Sequence, residues 1–175
     1  TGTISIGGQS HTVTQAAGSA PPATRPANDN RAAAEVLPTA NSTIFRSTFN
    51  ATRESGDPAR IAGNSTAATV WWTWTAPASV RATISTIGSG FDTVLGVYTA
   101  ASVSIAENDD IDYSADMKSS QVSFDAVAGQ QYMIVVDGFL GGTGTVALSV
   151  GFVPRGAGAS STNARLANIA TRAQV

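Results

Sequence analysis

The chain has 175 residues, ten Lys plus Arg against twelve Asp plus Glu, one histidine and no cysteine. A chain of this size buries roughly two-thirds of its unfolded surface without staples, and the lack of cysteine excludes a disulfide framework, a thiolate zinc site and a cysteine nucleophile. A net charge of −2 gives no basic field for nucleic acid or an anionic membrane, and no apolar run approaches the ~20 residues that span a bilayer. No signal-peptide pattern opens the sequence, so it reads as mature chain or as a piece of something longer.

Residues 1–15 read as a β-hairpin. Two alternating runs, TISI and SHTVT, flank Gly7-Gly8, a pair favoured in two-residue turns. That turn sets Ile4 opposite His11 and puts Ile4, Ile6 and Val13 on one face. Residues 16–27 lie in a proline-rich linker without periodicity. Residues 31–37 form a short helical candidate capped by Asp29 or Asn30 and closed by Pro38. Strand signals follow at 43–50, 68–75, 81–87, 93–99, 121–124, 131–137 and 145–152, separated by Gly, Pro, Asn and Asp clusters. Phe45 and Phe49 share a parity in the first of these. Trp72 and Trp74 share one face of the next, with Trp71 on the other. Residues 138–144, GFLGGTG, read as a hairpin turn, and Tyr132 as a corner tyrosine whose hydroxyl ties a loop to a strand. Residues 154–164 form a second linker. Residues 165–175 give a weak strand face, with a short amphipathic helix as the alternative. Seven or more short strands without a long helix argue for an all-β, antiparallel, jelly-roll-like sandwich over 28–153. One short N-terminal helix, the hairpin and a C-terminal strand complete it.

Six blocks in the middle carry a family pattern: Asn28-Asp29-Asn30, ATRESGDP at 51–58, VWWTWTAP at 70–77, GSGFDTVLGVYT at 88–99, ENDD at 107–110 and AGQQYMIVVDG at 128–138. Together they resemble the bacterial pre-peptidase C-terminal (PPC-like) domain. That resemblance implies a jelly-roll-like sandwich attached to secreted peptidases and other exported proteins, similar to collagenase collagen-binding domains. Arg31 departs from the pattern, which usually has an aromatic residue there. The two flanks resemble the closing hairpin and the opening strand of BACON-type or other immunoglobulin-like repeats.

Chemistry is sparse. His11 sits in a hairpin opposite an isoleucine, and no G-x-S-x-G elbow, H-E-x-x-H pair or P-loop is present, so the chain reads as non-catalytic. Calcium takes six to eight oxygens, often from Asp, Asn and Glu in loops. Asn28, Asp29 and Asn30 offer donors in one loop, and Glu54 and Asp57 in another. The resemblance implies calcium there too, because the corresponding acidic linker and loop of the collagen-binding relatives hold it. The structural alternative is that Asp29 caps the helix and Glu54 pairs with Arg53 or Arg60. Asn108-Asp109-Asp110 with Asp112 reads as turn chemistry. The tryptophans read as core before they read as a sugar platform.

Both ends look like incomplete β-structure. They fold back on their own sandwich, or they complete a sheet with another copy; the half-domain look and the low surface charge (13% charged residues, against about 25% in ordinary domains) favour the second. The reading is therefore an extracellular or bacterial cell-surface structural module of a filament or adhesin. Copies join head-to-tail through Ile4, Ile6 and Val13 of the hairpin and Leu166 and Ile169 of the tail. The alternative is an appendage of a larger exported hydrolase that binds a polysaccharide or a matrix protein.

Overall fold

In a computed structural model the described residues are 2–6, 9–13, 24–113 and 117–154. Thirteen strands are assigned, in chain order: β1 (Gly2–Ile6), β2 (Gln9–Val13), β3 (Glu35–Val36), β4 (Ser42–Ser47), β5 (Arg60–Ile61), β6 (Asn64–Ser65), β7 (Val70–Thr75), β8 (Val80–Ser85), β9 (Thr93–Thr99), β10 (Ser104–Asn108), β11 (Gln121–Ala126), β12 (Gln131–Gly138) and β13 (Thr145–Pro154). Two sheets make the sandwich: β10-β9-β12-β7-β3 and β11-β8-β13-β4. All their pairings are antiparallel except β3 on β7. The hairpin β1–β2 is a separate two-stranded sheet in which Ile4 pairs with His11 and Ile6 with Gln9. That register is the one expected from the Gly7-Gly8 pair.

Alternation drives the core. Val70, Trp72 and Trp74 of β7, Leu95 and Val97 of β9, and Tyr132, Ile134 and Val136 of β12 point toward the second sheet. There they meet Val80, Ala82 and Ile84 of β8, Val122 and Phe124 of β11, and Val146, Leu148 and Val150 of β13. Trp74 makes an edge-on contact with Phe124, ring centroids 6.5 Å apart, a favoured aromatic geometry. The Tyr132 hydroxyl accepts the Val127 N–H at 2.9 Å, which ties the loop before β12 to the strand as expected.

Several boundaries differ from the sequence reading. The helix expected over 31–37 is one 3₁₀ turn, Arg31–Ala33, capped by the Asn30 side chain. It stops there because the next residues pair with the tryptophan strand: Glu35 and Val36 form β3, and the Leu37 N–H donates to the Thr73 carbonyl. Phe45 and Phe49 do not share a buried face. β4 ends at Ser47, Phe45 is 62% exposed, and it is Ile44 that packs on the core.

The 138–144 segment is not a hairpin turn either, since β12 and β13 belong to different sheets. It crosses between them through a 3₁₀ turn, Phe139–Gly141. A Cβ at Gly138 would lie 1.8 Å from the Gly142 carbonyl oxygen, so that crossing admits only glycine. Asp137, buried at its start, accepts the Ala67, Ala68 and Gly138 N–H groups. Burial holds its carboxyl above the usual range despite those donors.

The strand expected at 165–175, with Leu166 and Ile169, lies outside the described residues, as do the 16–23 part of the first linker and the 155–164 part of the second.

Candidate functional site

The outward side chains of the five-stranded sheet form a second apolar cluster: Trp71, Val94, Tyr98, Met133 and Val135, capped by Ile61 of the β5–β6 hairpin. The turn at residues 31–33 and the loop at 54–58 flank this cluster, and two adjoining depressions lie between them. One, about 610 Å³, is bounded by Asn30, Arg31, Glu54, Asp57 and Met133. The other, more enclosed and about 190 Å³, is bounded by Arg31, Asp57, Pro58, Trp71, Tyr98 and Ser102.

Arg31 separates them. Its guanidinium lies over the Trp71 ring, 5.5 Å from the centroid, within the range of a cation–π contact. It also donates to Ser102 Oγ at 2.6 Å and to the Ala100 carbonyl at 2.9 Å. Trp71 is fixed from the other side by Asp57, whose Oδ1 accepts the indole Nε1–H at 3.1 Å. The remaining Asp57 oxygen accepts Thr69 Oγ1 at 2.6 Å and the Glu54 N–H at 2.8 Å.

Tyr98 lies across Gly96, where an added Cβ would come within 2.7 Å of the ring. Its hydroxyl donates to Glu107 Oε1 at 2.6 Å. Glu107 Oε2 accepts the Ala62 N–H at 2.7 Å, and Oε1 also accepts Ser104 Oγ at 3.0 Å. Burial alone would raise the Glu107 carboxyl, but the Tyr98, Ala62 and Ser104 hydrogen bonds outweigh it and hold the group below the usual range. Burial, helped by the Glu107 carboxylate, pushes the Tyr98 phenol well up. Glu107 therefore latches the β5–β6 hairpin onto the apolar cluster.

The residues expected to hold calcium lie around this region, but they are not gathered on one point. Asp29 is buried; its Oδ1 accepts the Thr52 N–H at 2.6 Å and its Oδ2 accepts Thr52 Oγ1 at 3.1 Å and Arg25 at 3.2 Å. Asn28 donates from Nδ2 to the Trp71 carbonyl at 3.1 Å, and Asn30 caps the 3₁₀ turn by accepting the Ala32 N–H at 2.7 Å. With the carboxylates of Asp29 and Asp57 occupied by protein donors, this set does not fit calcium. Of the assembly candidates, Ile4, Ile6 and Val13 occupy β1 and β2, in register positions of one face.

Among the described residues, the carboxylates that do converge are Asp92, Asp109 and Asp110, with one oxygen from each within 4.8 Å of the others. Asp109 Oδ1 and Asp110 Oδ1 are shut off from solvent without a hydrogen-bond donor. Burial and the Asp110 charge hold the Asp109 carboxyl above the usual range, against a hydrogen bond from Asn64. The loops carrying these groups are pinned by buried hydroxyls. Thr86 Oγ1 and Thr93 Oγ1 lie 2.6 Å apart, and both accept the Ser120 N–H. The only lysine of the sequence, Lys118, stands with Nζ 3.9 Å from Asp92 Oδ2.

No family profile matches the chain, and no curated protein matches it. Among solved structures it is similar to the pre-peptidase C-terminal domain of collagenase from Bacillus anthracis. The likeness has 20% identity and a TM-score of 0.45, and covers 67% of this chain and 94% of that chain. It is the family that the six sequence blocks resemble, and no residue role is carried over from it. No helix among the described residues is long and apolar enough to cross a membrane.

Two features escaped sequence reasoning. Asp92 was read as part of a strand block and Asp109-Asp110 as a turn. Only the pairing of β10 with β9 brings the two loops together, and the available signal was that both acidic runs flank predicted strands. Arg31, marked as a departure from the family pattern, puts a planar cation against Trp71 where an aromatic residue was expected.

Proposed function

We propose that the chain is a non-catalytic extracellular structural module, a subunit or repeat of a surface filament or adhesin whose copies join head-to-tail by β-strand addition. The observation that supports this best is the N-terminal hairpin, which pairs only within itself and belongs to neither sheet of the sandwich. A lone two-stranded ribbon is marginal in water. Burying Ile4, Ile6 and Val13 against a neighbouring sheet would contribute ~1.5–3 kcal/mol each, and strand addition would satisfy the ribbon's free edge. A head-to-tail contact propagates unless it closes into a ring. The one histidine of the sequence sits in that hairpin, which leaves the sandwich without an imidazole base. Low surface charge and the family resemblance support placement outside the cell.

Deleting residues 1–15 tests the reading, because both sheets of the sandwich lie within 24–154. In negative-stain images the full chain forms linear assemblies and the truncated chain forms folded monomers. Assembly of the truncated chain at the wild-type level overturns it.

The second reading, a polysaccharide- or protein-binding appendage of a larger exported hydrolase, is favoured by the depressions beside Arg31. Calcium belongs to either reading at the Asp92, Asp109 and Asp110 cluster, whose converging oxygens suit a hard cation better than the occupied carboxylates of Asp29 and Asp57.

A further inference from the structure

We propose that the enclosed depression between Arg31, Gly56 and Ser102 binds one uncharged, hydroxyl-rich ring of hexose size, independently of how copies of the chain join. Size and lining point to this class. The volume of about 190 Å³ suits a single six-membered sugar ring, and the wider depression of about 610 Å³ beside it leaves room for substituents. The floor is apolar, made by Trp71 and Tyr98, which suits the C–H face of a sugar ring, while the rim is polar.

Charge narrows the choice further. Arg31 on one side faces Asp57 and Glu54 on the other, so neither an anion nor a cation meets a single-sign field. A neutral ligand whose hydroxyls both donate and accept uses both sides. Asp57 contributes charge but no free acceptor, since its oxygens hold Trp71, Thr69 and Glu54. The donor is therefore Arg31, whose rigid fork carries five N–H groups and is set in place by Ser102 and Ala100. Ser102 offers its hydroxyl from a left-handed backbone, φ 64°, a conformation that costs a non-glycine residue about 1 kcal/mol or more and is often kept at binding sites.

Gly56 supplies the test. It borders both depressions, and a Cβ added there meets no atom within 4 Å, so Gly56→Trp fills the space without disturbing a packed neighbour. The probes are the methyl glycosides of glucose, galactose, mannose and N-acetylglucosamine, offered to the full chain in saturation-transfer NMR. At least one gives transfer in the wild type. Gly56→Trp lowers that signal at least tenfold while leaving assembly in negative stain unchanged. Ser102→Gly, which keeps the left-handed backbone and removes only the hydroxyl, lowers it at least threefold. Absence of transfer from all four glycosides overturns the proposal, as does a signal that survives both substitutions.

Discussion

The Trp71 indole donates to the buried Asp57 carboxylate at 3.1 Å, across fourteen residues of sequence. This bond fastens the loop at 54–58 to the outer face of the five-stranded sheet. Since the same carboxylate also takes Thr69 Oγ1 and the Glu54 N–H, Asp57 organises that loop.

Asp57→Ala strands three donors in a buried place. Leaving buried hydrogen-bonding groups unsatisfied costs about 1–3 kcal/mol each in isolation, and relaxation of the loop recovers part of it. A loss of roughly 2–4 kcal/mol is expected, read as a fall in melting temperature on the order of 10 °C. EDTA should not reproduce this fall in the wild type. A melting temperature within a degree or two of wild type contradicts the role given to Asp57.

Glu107 gives a pH dependence with a definite sign. Its folded carboxyl sits below the usual range, so its contribution is present above the unfolded pKa and is lost as pH falls through the folded one. The group is partly exposed, and solvent screening keeps the contribution below ~1 kcal/mol. Urea midpoints should therefore separate wild type from Glu107→Gln at pH 7, and the gap should close at pH 3. A gap that widens on acidification would show that the Tyr98–Glu107–Ala62 latch has been misread.

Tyr132→Phe removes the acceptor of the Val127 N–H while keeping the ring that packs against Trp74 and Phe124. A cost of about 0.5–1.5 kcal/mol is expected, with near-ultraviolet circular dichroism unchanged.

This tyrosine also marks where sequence reading works. Its loop, the parity of Trp72 and Trp74 against Trp71, and the hairpin register all follow from alternation and turn chemistry, which are local. What failed was decided by tertiary pairing. β10, Ser-Ile-Ala-Glu-Asn, is a polar edge strand half-exposed along its length, and it is held by its neighbour β9 with a register shift. Residues 34–37 have no strand signal, yet Trp72 and Thr73 recruit Glu35 and Val36 into the sheet. In β4, alternation was read correctly, but the inward parity went to Ile44 because the strand lies at a sheet edge. The Asp92, Asp109 and Asp110 cluster joins residues from two loops, a juxtaposition that no spacing in the sequence encodes.

Calcium is tested at that cluster by melting the wild type in excess calcium and in excess EDTA. Calcium that binds the folded state alone stabilises it by mass action, about 2.7 kcal/mol at a hundred times the dissociation constant. The calcium melt should be higher, and Asp109→Asn should erase the difference while Asp29→Asn leaves it. Identical melts in the two buffers remove calcium from the account.

The most direct test of the central claim, that the hairpin finds its missing neighbour in another copy, is sedimentation velocity across a dilution series. Wild type is compared with an Ile4→Asp, Val13→Asp double variant, which places charge on the hairpin face and leaves residues 24–154 intact. The account predicts concentration-dependent species heavier than one chain for wild type and a single monomer for the variant. Equal sedimentation of the two, whether both assemble or both remain monomeric, contradicts it.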